Sequence, residues 1–247
     1  MVYFLSDAHL GSRVLKDTLA HEKKLVAWLD MVKADATTIF LLGDIFDFWF
    51  EYKTVVPKGF VRFLGKLAEL TDAGIEIHFF IGNHDIWTFG YLEKEIGLIV
   101  HKEAYTTKLG NKTFYMVHGD GLHLDRNGFA FIRKIFHSPF AQWLFGNFPP
   151  RLGQRFGYNW SYRNRLNLVN EETKYKGENN ENIVVFAKHY AETHDVDFLV
   201  FGHRHIFLDL EIKNKKRVVI LGDFCGIFSY GVFDGNNFRL EYYGNEQ

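Results

Sequence analysis

The stretch Val2-Tyr3-Phe4-Leu5-Ser6-Asp7-Ala8-His9 decides the fold, because a short apolar run ends in a carboxylate and an imidazole. Apolar runs of this length are typical of buried strands. The same arrangement recurs after residues 39–42, 75–81, 114–117 and 198–201, where the polar groups are Gly43-Asp44, Gly82-Asn83-His84-Asp85, His118-Gly119-Asp120 and Gly202-His203-Arg204-His205. We expect all five groups to meet at the carboxyl-terminal edge of one sheet, where open α/β sheets carry their sites.

Helical periodicity lies between these runs and predicts a layered α/β fold. Apolar residues recur at three- and four-residue spacing over 25–32, 60–70 and 183–190. Strand and helix therefore alternate, as in layered α/β proteins. Beyond His205 the pattern changes to alternating apolar and polar residues over 208–212 and 238–242 and a largely apolar run over 217–221, separated by polar turns. This tail predicts antiparallel strands.

Composition and net charge indicate which classes of protein this chain can belong to. The chain has 247 residues and a formal net charge of -1, so its overall charge does not attract nucleic acid, and we expect no nucleic-acid partner. Cys225 is the single cysteine, which excludes an intramolecular disulfide and fits a reducing compartment. No apolar run reaches the roughly 18 residues of a membrane span, and the first strand begins too early for a signal peptide. We expect a cytoplasmic protein with, at most, peripheral membrane contact.

We interpret residues 1–247 as one domain with an inserted helical lid over 124–175. Between Arg126 and Asn170 the chain has no acidic residue, but it has seven basic residues and many aromatic ones. The aromatic side chains can bury the lid helices against the body or line a groove for acyl chains. The lack of acids favours an anionic partner over packing alone. Arg155, Arg163 and Arg165 are the candidate phosphate or nucleotide contacts, because Arg can bind phosphate bidentately.

The five polar groups predict a pair of metal ions. Asp7, His9 and His205 can hold one ion, while Asn83, His118 and His203 can hold a second. Asp44 offers two oxygens and can bridge both ions. This mixture of imidazole, carboxylate and amide suits Mn, Fe, Co or Zn better than Mg or Ca. Two such ions clamp a phosphoryl group and lower the pKa of a bound water.

Two further residues are predicted to be catalytic. His84 follows the ligand Asn83 and can donate a proton to the leaving group or a hydrogen bond to phosphate. Asp85 is predicted to orient His84, and Asp47 is a similar candidate for a supporting role. Each group alone would be an ordinary turn at a strand end. Five such groups in order, each behind an apolar run, favour the metal interpretation.

Together these groups resemble the calcineurin-type metallophosphoesterase superfamily over residues 1 to about 225. The resemblance implies a two-sheet α/β sandwich flanked by helices, here with an inserted helical lid. It also implies a centre of two divalent transition-metal ions, for which we expect Mn. The metal ligands it implies are Asp7, His9, Asp44, Asn83, His118, His203 and His205.

Within the superfamily the chain most resembles the UDP-2,3-diacylglucosamine pyrophosphatases of lipid A synthesis. Ser6-Asp7-x-His9-Leu10, His118-Gly119-Asp120-Gly121, and Phe46 and Trp49 carry this resemblance, whereas His84 stands where proteobacterial members have Arg. The resemblance implies that a metal-held hydroxide attacks the α-phosphorus of an acylated nucleotide sugar, giving UMP and 2,3-diacylglucosamine 1-phosphate. We expect this enzyme to contact the inner membrane peripherally. The predicted substrate-binding residues are Trp49, Asp125, Arg155, Arg163 and Arg165.

Two alternatives stay open at this point. A phosphodiesterase acting on nucleotides or another phosphate ester would use the same metals, with the lid aromatics stacking on bases. A scaffold that has lost catalysis would tolerate missing ligands, yet here every expected ligand position is filled. The sequence leaves the oligomeric state undetermined.

Overall fold

The computed structural model describes residues 1–122 and 134–244, except for the side chains of 166–172. The strands are β1 Val2–Leu5, β2 Thr38–Leu41, β3 Glu76–Phe80, β4 Ile99–His101, β5 Tyr105–Leu109, β6 Lys112–Val117, β7 Phe198–Phe201, β8 Phe207–Glu211, β9 Arg217–Leu221, β10 Ser229–Phe233 and β11 Phe238–Tyr242. The helices are α1 Thr18–Val32, α2 Val61–Asp72, α3 Tyr91–Ile96, α4 Pro139–Gly146, α5 Pro150–Glu172 and α6 Asn182–Thr193.

The strands form two sheets rather than one. The first sheet has the order β11-β10-β1-β2-β3-β4, in which β1 to β4 are parallel and β10 and β11 form an antiparallel edge. The second has the order β5-β6-β7-β9-β8, with β6, β7 and β9 parallel. The antiparallel tail predicted after His205 is confirmed, because β8 pairs with β9 and β10 with β11.

The prediction that all five polar groups lie at the edge of one sheet is wrong. The groups after β1, β2 and β3 belong to the first sheet, and those after β6 and β7 belong to the second. They still meet, because the sheets pack face to face. An apolar run shows that a strand is buried, but strand pairing depends on long-range contacts that the run does not encode. The two-sheet sandwich that the family resemblance implied is confirmed.

The sandwich core is rich in stacked aromatic rings. Phe4 and Phe40 of the first sheet face Phe114 and Phe198 of the second, and the Phe4 and Phe114 ring centroids are 5.7 Å apart. The other face of the first sheet is covered by α1, α2 and α3. Helix α6 covers the outer face of the second sheet. The fold is therefore four layers, helix–sheet–sheet–helix, with both strand faces buried.

Helices α4 and α5 pack against the loops that follow β2 and β3. Phe145 of α4 contacts Phe50 and Trp87, with ring centroids 4.8 and 5.2 Å away. Tyr158 of α5 contacts Phe48 at 5.8 Å. These two helices form the described part of the lid. The start of the insertion at residue 124 lies outside the described residues, so its boundaries stay a prediction.

None of the helices in the described part of the chain has the length and apolarity needed to cross a bilayer.

Candidate metal centre

Tight left-handed turns after the strands place the polar side chains. Asp7, His9 and Asp44 have φ values of 52°, 45° and 53°, and His203 and His205 have 69° and 49°. A left-handed conformation costs a non-glycine residue about 1–2 kcal/mol. Such strain at five residues of one site is retained only where the surrounding structure holds it, which is typical of functional sites.

Two glycines let the turns approach each other closely. A Cβ on Gly82 would collide with the Asp44 carboxylate and would lie 2.5 Å from the Asp44 backbone nitrogen. A Cβ on Gly202 would lie 2.7 Å from Asp7 Oδ2. Glycine at both positions therefore has a steric reason, since any side chain would push the carboxylates away from the centre.

One cluster consists of Asp7, His9 and His205. Asp7 Oδ1 lies 3.6 Å from His9 Nε2 and 3.4 Å from His205 Nε2. Ligands at about 2.0–2.2 Å from a single cation would be roughly 3–3.6 Å apart. The second carboxylate oxygen, Asp7 Oδ2, accepts a hydrogen bond of 2.8 Å from the backbone N–H of His203. The carboxylate is thus held with one oxygen directed at the two imidazoles.

A second cluster consists of Asp44, His118 and His203, with Asn83 beside them. Asp44 Oδ2 lies 3.3 Å from His118 Nε2, and Asn83 Oδ1 is also 3.3 Å from that nitrogen. Asp44 Oδ2 is at the same time 3.9 Å from His9 Nε2 of the first cluster. Asp44 therefore lies between the two clusters, in the position that a bridging ligand requires.

Several buried polar atoms at this centre have no hydrogen-bond partner among the described residues. Two of them, Asp7 Oδ1 and His9 Nε2, face the same position at the centre, whereas the other two, His9 Nδ1 and Asp47 Oδ1, face each other at 3.5 Å. A buried polar atom without a partner destabilises the folded state, so the presence of two such atoms at one position needs an explanation. His9 and Asp7 are 1% and 0% exposed, which rules out ordinary solvation. A divalent cation at that position satisfies Asp7 Oδ1 and His9 Nε2 together, so the residues fit the metals that the fold implies.

In the second cluster, burial and the neighbouring charged groups strongly shift the pKa values of the two imidazoles. Burial alone would lower the pKa of His118, but the Asp44 carboxylate beside it raises that pKa to about 10. Burial and the neighbouring His118 lower the pKa of His203 to about 3. The metal-free cluster therefore keeps a proton on His118, and metal binding must displace it.

Neighbouring groups fix the orientation of the imidazoles. His118 Nδ1 donates to the Leu42 carbonyl at 2.8 Å, and His205 Nδ1 lies 3.3 Å from Asp223 Oδ2. His9 Nδ1 lies 3.5 Å from Asp47 Oδ1. Such partners fix the ring tautomer and direct Nε2 toward the metal position. Sequence reasoning missed Asp223, although Gly222-Asp223 follows a parallel strand, β9, just as the other groups follow theirs.

The side chain of His84 faces the metal centre, whereas the side chain of Asp85 binds backbone N–H groups. His84 Nδ1 donates to the Asp47 backbone carbonyl at 2.9 Å, and its Nε2 lies 4.0 Å from Asp44 Oδ2 at the centre. Both oxygens of buried Asp85 accept backbone N–H groups, from Gly82 and Asp44 at Oδ1 and from Ile45 and Phe46 at Oδ2. The prediction that Asp85 orients His84 is therefore wrong: the Asp47 carbonyl does so, and Asp85 ties two loops together.

The residues predicted to contact the substrate differ in burial and in position relative to the site. Trp49 is 0% exposed, stacks on Phe46 at 4.4 Å and donates its indole N–H to Glu51, so its assignment as a substrate contact is wrong. Its apolar position after Asp44 places it in the core. Arg165 is buried and its Nε lies 3.6 Å from Asp47 Oδ1. Arg155 and Arg163 are exposed on α5 and do not line the cavity described next, and their role stays a prediction. Asp125 lies outside the described residues.

A cavity of about 250 Å³ separates the lid from the metal clusters. We call it the lid cavity. Its polar floor includes Asp47, Asn83 and His84, and its walls are largely aromatic, with Phe48 and Trp87 from the body and Phe156 and Trp160 from α5. The centre therefore opens directly into an apolar space under the lid.

Comparison with known proteins identifies the family and the relatives that this chain resembles. The family model described as calcineurin-like phosphoesterase matches residues 1–207. A UDP-2,3-diacylglucosamine hydrolase of Porphyromonas gingivalis is 42% identical over 252 residues, which cover 97% of this chain and 96% of that protein. A hydrolase of the same name from Actinobacillus succinogenes is 25% identical and covers 90% of each chain. Among solved structures, Yfce, a phosphoesterase from E. coli, has a TM-score of 0.47 at 15% identity and covers 100% of this chain and 94% of that one.

Proposed function

The chain belongs to the calcineurin-like phosphoesterase family, and we propose that it hydrolyses the diphosphate of UDP-2,3-diacylglucosamine to UMP and 2,3-diacylglucosamine 1-phosphate. One observation carries the proposal: two ligand clusters share Asp44 and open into the apolar lid cavity. A diphosphate needs cationic charge, and acyl chains need apolar walls. The 42% identical relative is named for this reaction, which supports the choice of substrate.

The proposed metal ligands are those predicted from the sequence. Asp7, His9 and His205 would hold one divalent ion, and Asn83, His118 and His203 the other, with Asp44 between them. We propose manganese, since the donor set mixes imidazole with oxygen ligands. When bound, the two cations would lower the pKa of a water and stabilise the charge that develops on the phosphoryl oxygens.

His84 is the proposed contact to the reacting phosphate or the leaving oxygen. It is part-buried, and its ring is fixed by the Asp47 carbonyl, which leaves Nε2 facing the space beside Asp44. His84 also lines the lid cavity. A fixed donor at this position stabilises charge in the transition state better than a mobile one.

The experiment measures UMP release from UDP-2,3-diacylglucosamine by the Mn-loaded chain. We expect turnover by the unchanged protein and loss of more than about 100-fold in kcat for Asp44→Ala, since that carboxylate serves both clusters. Asp72→Ala, at the exposed end of α2, is the matched control and should retain full rate. Hydrolysis of bis(p-nitrophenyl) phosphate without release of UMP from the lipid would overturn the substrate and favour a general phosphodiesterase.

We further propose that the lid rests on the cytoplasmic face of the inner membrane. Phe140, Trp143 and Leu144 of α4 are 70%, 63% and 58% exposed. Arg151 and Arg155 are exposed at the start of α5. Apolar side chains next to basic ones favour binding at an anionic lipid interface.

Vesicle flotation tests this contact. Phe140→Ser/Trp143→Ser should reduce binding to vesicles containing anionic phospholipid about tenfold or more, because each large side chain contributes roughly 1.5–3 kcal/mol when fully buried in the interface. Val61→Ser, which replaces an apolar residue 74% exposed on α2, is the control. Equal binding by all three proteins would contradict the proposed membrane contact.

A further inference from the structure

A second depression adjoins the metal centre. This polar groove, of about 370 Å³, is bordered by the ends of β3 and β4 of the first sheet, by the end of β6 of the second, and by the connection 102–104. It reaches the centre at Gly82 and His118. The lid cavity reaches the same centre at Asn83 and His84. Both spaces touch Asp120 and His137, so they meet around the metal clusters and extend from there along different surfaces.

The two spaces differ in chemistry. The lid cavity has aromatic walls from Phe48, Trp87, Phe156 and Trp160. The groove instead presents His101, Lys102 and Glu103, at the end of β4 and in the β4–β5 connection. Lys102 and Glu103 are exposed, so their side chains can move toward a ligand without breaking a packed core. One space therefore favours an apolar ligand, and the other favours one rich in hydrogen-bonding groups.

We propose that the polar groove binds the nucleoside half of the substrate, a proposal that rests on the function given above. A nucleotide-sugar diphosphate has two arms that leave the reacting phosphorus in different directions, one an acylated sugar and the other a nucleoside. The acylated arm matches the lid cavity. The nucleoside, with a ribose diol and a polar base, matches the remaining space.

Specific side chains can recognise that arm. The Glu103 carboxylate accepts hydrogen bonds from vicinal ribose hydroxyls, as acidic residues do in dinucleotide-binding proteins. The Lys102 ammonium donates to carbonyl oxygens of the base or to the phosphate. Because the groove ends at His118, a nucleoside bound in it places its 5′-phosphate at the second cluster. The leaving sugar phosphate then lies on the lid side, next to His84.

The test compares two chromogenic diesters on the Mn-loaded chain. The p-nitrophenyl ester of uridine 5′-monophosphate carries a nucleoside with both ribose hydroxyls, whereas bis(p-nitrophenyl) phosphate carries none. For Lys102→Ala/Glu103→Ala, we expect kcat/KM to fall about tenfold more for the nucleotidyl ester than for the other, since two hydrogen-bonding groups are lost. Lys94→Ala/Glu95→Ala, an adjacent pair exposed on α3, is the matched control and should change neither value.

Product inhibition gives a second, independent readout. UMP should inhibit hydrolysis of bis(p-nitrophenyl) phosphate, and its inhibition constant should rise about tenfold in Lys102→Ala/Glu103→Ala. An unchanged constant, or equal losses on both diesters, would overturn the groove assignment. Neither assay uses the lipid. If UDP-2,3-diacylglucosamine is not cleaved while UMP inhibition still depends on the groove, the proposed function fails and the nucleoside site stands.

Discussion

Arg165 on the lid helix α5 forms a buried ion pair with Asp47, which follows β2, with Nε 3.6 Å from Oδ1. Ser161, one helical turn earlier, donates its hydroxyl to Asp47 Oδ2 at 2.8 Å. The same Asp47 lies 3.5 Å from His9 Nδ1. The lid is therefore joined to an imidazole of the metal centre through one carboxylate, and the two should respond to the same substitutions.

Arg165→Ala should damage both the lid and the centre. Removing one partner of a buried ion pair leaves an uncompensated charge, so we expect a loss of about 2–4 kcal/mol in the free energy of unfolding. Metal affinity should fall about tenfold, because Asp47 no longer holds His9 in place. Urea unfolding and metal titration measure the two effects. Arg163→Ala, exposed on the same helix, is the control, and similar effects of both substitutions would contradict the coupling.

Asp223→Asn should weaken the first metal cluster without unfolding the chain. The Asp223 Oδ1 atom accepts N–H groups of Cys225 and Ile227, which an asparagine oxygen can still do. The asparagine NH₂, however, cannot accept the His205 Nδ1 proton as Oδ2 does. We expect a loss of about 10–100-fold in metal affinity, measured by titration against a chelator. Asp195→Asn, at an exposed position, should leave the affinity unchanged, and equal affinity in both variants would exclude a role for Asp223.

Gly82→Ala should abolish metal binding by forcing the Asp44 turn away. The added methyl would meet the Asp44 backbone nitrogen and the Asp44 carboxylate, which the His84 backbone N–H holds in place at 2.8 Å. Overpacking of this kind costs about 1–3 kcal/mol. Gly65→Ala in α2 is the matched control, since nothing lies within 4 Å of its Cβ, and helix propensity predicts a gain of roughly 0.5–1 kcal/mol. Metal-to-protein ratios after dialysis decide the case, and a full metal content in Gly82→Ala would contradict the argument.

His101 should make the metal-free fold less stable in acid. Its Nε2 lies 2.7 Å from His78 Nδ1, and burial together with His78 lowers the pKa of His101 from 6.5 to about 4. Between these two pH values the unfolded chain binds a proton that the folded chain does not. Stability is therefore fully present above pH 6.5 and falls as the pH drops toward 4.

His101→Gln should reduce this loss by about 1–2 kcal/mol between about pH 7.5 and pH 5. Urea unfolding in the presence of a chelator measures the difference, and His189→Gln, at an exposed helix position, is the control. A pH dependence identical in all three proteins would show that His101 titrates normally.

Much of the candidate site was predictable because it depends on residues that are neighbours in the sequence. Asp7, His9 and Asp44 directly follow apolar strands, and a residue that ends a buried strand must lie at a sheet edge. Trp49 and Asp85 were misassigned because sequence proximity to a ligand does not give side-chain direction. Trp49 turns into the core, and Asp85 turns toward four backbone N–H groups.

The sequence by itself determined the strands that precede the five polar groups, the helices α1, α2 and α6, and the residue types at the strand ends, because apolar periodicity and turn chemistry act over a few residues. Only the tertiary structure decided how these ends are divided between two facing sheets and that Arg165 reaches Asp47 across the chain. Those contacts join residues far apart in sequence. Their geometry depends on how the sheets and the lid pack, and local patterns carry no information about it.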